Sequence, residues 1–305
     1  MQGTGTQADP YQITNVDELI EYAKKDDVYL KLMNDIDFNN YSGWMLSSIE
    51  VRCFEIDGDG HSLNNIYIKN TNLFYITDDN GPYSVRTSTF KNMIMEIIQI
   101  GNSPIFIGYE RHSSMHKYIQ ILDCDIRIKS YPTNDITILH NTSRWSERVG
   151  IRILRSILNI DVYGCGYNIT LINSEESDFN WCSIEYSEIQ VNIYNGNNTT
   201  VSLIGRMNID NVAIFVNMDK IDTNKTYNLL FNYTRLTNSY IIVKQDNLES
   251  MNWTIDSGRL PTALSACFYN EDYIQLDTSV TNLYGLTTAE CKSVSKLTEI
   301  GFIVA

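Results

Sequence analysis

Residues able to do chemistry are few and scattered along this chain. Asp57-Gly-Asp-Gly60 sets two carboxylates close together, the oxygen donors a hard cation takes. An EF-hand loop opened at Asp57 would place its closing bidentate acid at Ile68, which excludes that loop. The two glycines fit a tight corner between strands, with Asp57 and Asp59 as turn formers and only a secondary cation candidate. Histidine stands at 61, 112, 116 and 140 alone, so no Ser-His-Asp or Cys-His arrangement is expected. Cys53, Cys124, Cys165, Cys182, Cys267 and Cys291 form no CxxC pair. They read as reduced, structural thiols rather than zinc ligands. The Asn-X-Ser/Thr triplets at Asn141, Asn168, Asn198 and Asn232 read as chance in an Asn-rich chain. No catalytic, cofactor-binding or metal residue is assigned, and no cofactor is expected.

Two further sets face outward if the chain is stranded. Asp125, Asp161, Glu185 and Glu188 lie beside apolar alternating positions. Glycoside hydrolysis needs only two facing carboxylates, but the expectation here is a solvated acidic ladder. Tyr163 and Tyr194 each follow an inward residue, Val162 and Ile193, and so share one outer face. Stacked outward aromatics bind sugar rings or pack against another subunit, and the residues leave both open.

The elements that position these groups come from a repeat. Short alternating segments align on Met95, Ile128, Ile160, Val191, Ile214 and Val243, at steps of 33, 32, 31, 23 and 29 residues. An earlier copy ends at Ile68. A second strand follows each, as at Ile136-Thr-Ile138 and Ile169-Thr-Leu171, and a third closes the period, as at Tyr118-Ile-Gln-Ile121. Three short strands per period without intervening helices predict an all-β fold, a right-handed parallel β-helix solenoid, in preference to an antiparallel sandwich. Some eight rungs would give a shaft roughly 40 Å long. Asn15-Val-Asp-Glu18 predicts a capping box and a short N-terminal helix over Val16 to Lys25. Thr287-Thr-Ala-Glu290 predicts a second box and a C-terminal helix carrying Cys291, Val294, Leu297 and Ile300 on one stripe, stopped by Gly301. The expected division is a cap at 1–27, the β-helix at 28–258 and a C-terminal cap or assembly segment at 259–305.

The chain has 305 residues and a formal charge of −14. Phosphate binding needs clustered Lys and Arg, so neither nucleic acid nor an anionic membrane is an expected partner. No apolar run is long enough to span a bilayer, and the polar start from Met1 to Asp9 carries no signal-peptide core. Synthesis in a cytoplasm is expected.

Gly3-Thr-Gly-Thr6, Asp9-Pro-Tyr-Gln-Ile13, Tyr29-Leu-Lys-Leu32, Asn34-Asp-Ile-Asp37 and Phe54 to Leu63 run in an order that resembles the N-terminal cap and first rungs of pectin-lyase-like β-helix proteins. The resemblance covers roughly a quarter of the chain and bears on fold more than on activity. Arg127-Ile-Lys129 resembles a short polygalacturonase motif, but the paired aspartates and Gly-His-Gly that accompany it there are missing. Such openings occur in bacterial surface proteins and in bacteriophage tailspikes and fibres. The resemblance implies a virion structural or host-adhesion protein, made in the host cytoplasm. Its partners would be other virion proteins, bacterial surface polysaccharide, and further copies of itself in a homotrimer or larger assembly. A polysaccharide depolymerase and a bacterial surface binding module are the alternatives.

Overall fold

The computed structural model describes residues 2–39, 48–76, 86–108, 117–142, 149–164, 167–174, 182–194, 200–205, 207–218, 227–231, 234–245, 253–255, 262–263, 267–272, 274–275, 282–300 and 302. Its strands form three parallel sheets of ten, ten and nine strands. The chain visits them in rotation. Tyr29–Leu32 lies in the first sheet, Ile36–Asp37 in the second and Ile49–Val51 in the third. The cycle then repeats until Leu283–Leu286 closes the second sheet. Each strand pairs with its equivalent one coil on, as Ile128 with Ile160 and Ile160 with Val191. This is the parallel β-helix, with nine coils rather than eight. Nine steps of strand spacing give a shaft of roughly 43 Å.

Alternation fills the core. In the second sheet Met95, Ile126, Leu158, Ile189, Ile214 and Ile241 stack in one inward row. Ile97, Ile128, Ile160, Val191, Val216 and Val243 stack in the next. All twelve are buried, each contributing roughly 1.5–3 kcal/mol by leaving water. The register corrects the sequence alignment. Ile128 stands over Ile97 rather than Met95, and Val191 pairs with Val216 rather than Ile214. The true steps are 31, 32, 31, 25 and 27 residues. A slip of two preserves the inward and outward faces, so hydrophobic pattern alone does not detect it.

Helix α1 (Val16–Ala23) takes the place that a third-sheet strand would hold and packs on Ile49–Val51. It is shorter than expected. Asn15 Oδ1 accepts from the Glu18 N–H at 2.9 Å, while Glu18 accepts from the Thr14 N–H and hydroxyl. The box closes on Thr14 rather than on the cap residue. Val16, Leu19 and Ala23 face the core and cover its first coil. The Ala23 carbonyl accepts from the N–H groups of Arg52 and Cys53, tying the helix end to the next coil.

At the other end the ladder runs on past residue 259. Thr262–Ala263, Cys267–Asn270 and Ile274–Gln275 form a ninth coil. Asn270, buried, uses its side-chain amide as a ladder partner, accepting from the Val243 N–H at 2.9 Å and donating to its carbonyl at 2.8 Å. The expected C-terminal helix is broken in two. The Thr287 box closes, but on a 3-10 turn, Glu290–Lys292. Ser293 then caps a separate helix, α2 (Val294–Glu299). The break rotates Val294 out to solvent, while Leu297 stays buried. Gly301 lies outside the described residues.

Candidate functional site

The corner between the first and second sheets repeats one device in six successive coils. A single residue adopts a left-handed backbone: Asn92, Asp123, Arg155, Tyr186, Asn211 and Asn238, with φ between +43° and +54°. Its N–H continues the first-sheet ladder, as Arg155 to the Glu185 carbonyl and Tyr186 to the Asp210 carbonyl. The next N–H finds a hydroxyl one coil on. Cys124 donates to Ser156 Oγ, Ser156 to Ser187 Oγ and Val212 to Ser239 Oγ, each at 3.1 Å. Asn and Asp tolerate this conformation; Arg and Tyr do so at a cost on the order of 1 kcal/mol. Arg155 offsets part of that with a two-point bond to Asp123, both distances 2.8 Å. Tyr186 leaves its side chain 60% exposed.

Beside these corners runs a groove of about 840 Å³ on the outer face of the second sheet. Its floor follows one outward row, Ile157, Glu188, Ala213, Tyr240 and Phe268. Small Ala213 between Glu188 and Tyr240 gives it depth. Arg155, Tyr186, Asn211 and Asn238 form one rim. The opposite wall is the C-terminal segment, with Lys292, Leu297 and Phe302. That segment lies along the side of the shaft. Leu297, Ile300 and Phe302 pack with Tyr240, Ile242, Phe268 and Leu286 in a second apolar cluster, separate from the core. The Phe302 ring meets Phe268 edge-on at 5.0 Å, and Tyr240 stacks on Phe268 at 5.1 Å. Burial pushes the Tyr240 hydroxyl's pKa up, and the Glu188 charge adds to it.

Tyr163 and Tyr194 share a face and stack at 4.8 Å, and Tyr131, not singled out from sequence, extends the stack at 5.0 Å. The three rings lie nearly parallel, so each covers its neighbour's face. The middle ring, Tyr163, is therefore covered on both faces by its neighbours. Burial raises the Tyr163 pKa, with Asp161 and the neighbouring tyrosines adding to it.

Asp57 and Asp59 do not converge on a common point. Asp57 accepts from the Asp59 N–H and from Asn92, and pairs with Lys91 at 3.1 Å. Asp59 pairs with Lys31 at 2.8 Å, which holds its carboxyl below the usual range. A Cβ on Gly58 would sit 2.4 Å from the Asn92 carbonyl oxygen, so the next coil requires glycine there. No cluster of three potential metal ligands occurs among the described residues.

The acidic ladder is not continuous. Asp125 faces Ile157 and bonds Arg127, while Asp161 faces Lys129 and accepts from Asn192. Glu188 faces Ile157 and Ala213. Glu185 faces Asp210, which sequence reading passed over. Burial raises the Asp210 pKa, and the Glu185 charge adds to it. Cys53, Cys124, Cys182 and Cys267 are buried and unbridged, and Cys291 is half-buried. Burial pushes Cys53 to about 12 and Cys124, Cys267 and Cys291 to about 11. Cys165, His112, His116, Asn198 and Asn232 lie outside the described residues.

No protein-family model and no curated protein matches the chain. Among solved structures, a Bacteroides ovatus protein described as a "putative immunoglobulin A1 protease" aligns with 98% of this chain and 88% of its own. Identity is 17% and the TM-score 0.42. The chain is a parallel β-helix without a matched family. Its activity is argued from its own surface.

Proposed function

We propose that this chain is a non-enzymatic host-adhesion or structural protein, a virion component that holds bacterial surface polysaccharide along the side of a β-helical shaft. The observation that carries the reading is the groove. It spans coils from Arg155 to Phe268, with the exposed Tyr186 ring and the half-buried Asn211 and Asn238 carboxamides on its rim and the half-buried Tyr240 ring on its floor. Sugar recognition uses such groups, an apolar platform for the ring face and neutral donors and acceptors for the hydroxyls. The virion setting rests on the opening from Gly3 to Leu63, and the same resemblance makes a homotrimer the expected assembly. The test incubates full-length protein with immobilised bacterial capsule and cell-wall polysaccharide. Retention without release of reducing ends or unsaturated products is expected, and light scattering should report a trimer. Absence of retention would sink the adhesion reading.

One observation favours the depolymerase instead. Glu185 and Asp210 face each other one coil apart, and Asp210 is held toward its protonated form. Retaining glycosidases set a general acid and a nucleophile roughly 5 Å apart, close to the spacing between coils. Release of reducing ends that is abolished by Glu185→Gln or Asp210→Asn would establish this reading in place of adhesion.

A further inference from the structure

We infer that Tyr186 is a ligand-contact residue, a platform on which one ring of a neutral polysaccharide stacks at the rim of the groove. The inference rests on the adhesion reading and adds the residue that grips and the charge class of what is gripped.

Tyr186 holds a strained corner of the backbone. Asn92, Asn211 and Asn238 hold the same corner position in other coils, with φ of +52°, +53° and +43°. Tyrosine at φ +50° is disfavoured there. Strain of this kind persists when something else selects the residue. Packing does not, since the side chain is 60% exposed. The corner hydrogen bond does not either, because the Tyr186 N–H to Asp210 carbonyl bond is a backbone interaction that any residue but proline would make. The ring's gain must therefore come from outside the folded chain.

Its surroundings state what that partner is. The ring stands on the rim of an 840 Å³ groove, above Glu188 and beside Asn211 and Asn238. Successive corners are one coil apart, about 4.8 Å, so the contact points form a periodic row that suits a periodic polymer. The chain carries −14, and of the two described cations that line the groove, Arg155 is already engaged by Asp123 at 2.8 Å and Lys292 stands on the opposite wall. An anionic polymer would meet repulsion, whereas a neutral one would find carboxamides and a carboxylate as hydroxyl partners.

The test measures thermal unfolding and calorimetric binding of the full chain with cellohexaose, maltohexaose, mannohexaose and chitohexaose as probes. Tyr186→Asn should raise the apparent Tm by roughly 1–3 °C, because it relieves the corner. Tyr186→Ala and Tyr186→Asn should weaken the best probe about tenfold or more, and Tyr186→Phe, which keeps the ring, should stay within about threefold. Met33→Ala, an exposed side chain outside the groove lining, should bind as wild type does. A lower Tm for Tyr186→Asn, or unchanged affinity for Tyr186→Ala in a chain that binds a probe, overturns the inference and leaves the adhesion reading standing. No binding of any probe by the wild type at millimolar concentration overturns the inference, and absence of retention on immobilised capsule as well overturns both.

Discussion

Ser239 shows how a single side chain holds one coil to the next. Its hydroxyl accepts from the Val212 N–H at 3.1 Å and donates to the Thr237 carbonyl at 2.7 Å, with the residue wholly buried. Ser239→Ala leaves the Val212 N–H without this partner away from water, while the Thr237 carbonyl keeps the Asn211 N–H at 3.0 Å. The expected loss is about 1–3 kcal/mol, read as a lower urea midpoint at unchanged slope. A change under a few tenths would mean that the corner is reached by water. Asp210 works in the opposite sense. Its pKa is raised in the fold by burial, so the folded state favours the neutral form. Stability relative to Asp210→Asn is therefore greatest below the ordinary carboxylate value and is lost as pH rises through the folded value. The variant should be more stable than wild type at pH 7, with the gap closing as urea titrations are repeated toward pH 4. A gap constant with pH would show that charge is not its cause. At this scale the sequence is partly legible. Asn92, Asp123, Asn211 and Asn238 are turn-formers in type, whereas Arg155 and Tyr186 occupy the same corner against their own backbone preference. Tyr131 went unseen because a stack is a relation between coils, visible only once Tyr163 and Tyr194 have their true neighbours.

Among the elements, the C-terminal segment is the one whose role changes between sequence and structure. Its capping box at Thr287 and its apolar residues were legible. What they pack against was not, because Tyr240, Ile242 and Phe268 belong to earlier coils and face away from the core. In the sequence the stripe through Leu297 and Ile300 is an apolar face in search of a cover. The fold uses it as the cover, laid over a patch of the second sheet. The contact is small beside the continuous core, so it should open without unfolding the shaft. Leu297→Asp places a charge in this second cluster in place of its buried leucine. The expected outcome is faster proteolysis within 287–300 and increased binding of a hydrophobic dye, with the main thermal transition moved by less than about 2 °C. Loss of the main transition would mean that the segment is integral to the shaft. Helix α1 differs because its buried residues join the main core and it covers the first coil. The same kind of charge at Leu19 should destabilise the whole N-terminal end.

For the whole molecule, the decisive property is that each coil contacts only its neighbours. Stability is then close to a sum of coil and interface contributions, and the period read from sequence is sufficient to recognise this without an exact register. The coil lengths were not legible, since a strand shifted by two keeps every apolar side chain inward. The register makes a strong test possible. Ile157 stands opposite Glu188, so deleting residues 158–188 removes one coil and rejoins the chain at equivalent positions. Ile126 would then lie over Ile189, Ile128 over Val191, Ile153 over Ile209 and Tyr131 over Tyr194. Each of these pairs keeps its chemistry. The shortened chain should fold with an unchanged far-ultraviolet spectrum per residue, and the shaft should be about 4.8 Å shorter by small-angle scattering. Deleting residues 158–187 instead turns the following strand inside out. It brings Glu188 to the inward position of Leu158 and moves Ile189 outward, so that variant should aggregate. Two deletions differing by one residue thus have opposite expected outcomes. If both folded, the joined strand would be absorbing the offset through a bulge. If neither folded, the coils would be coupled over longer distances than nearest-neighbour stacking allows.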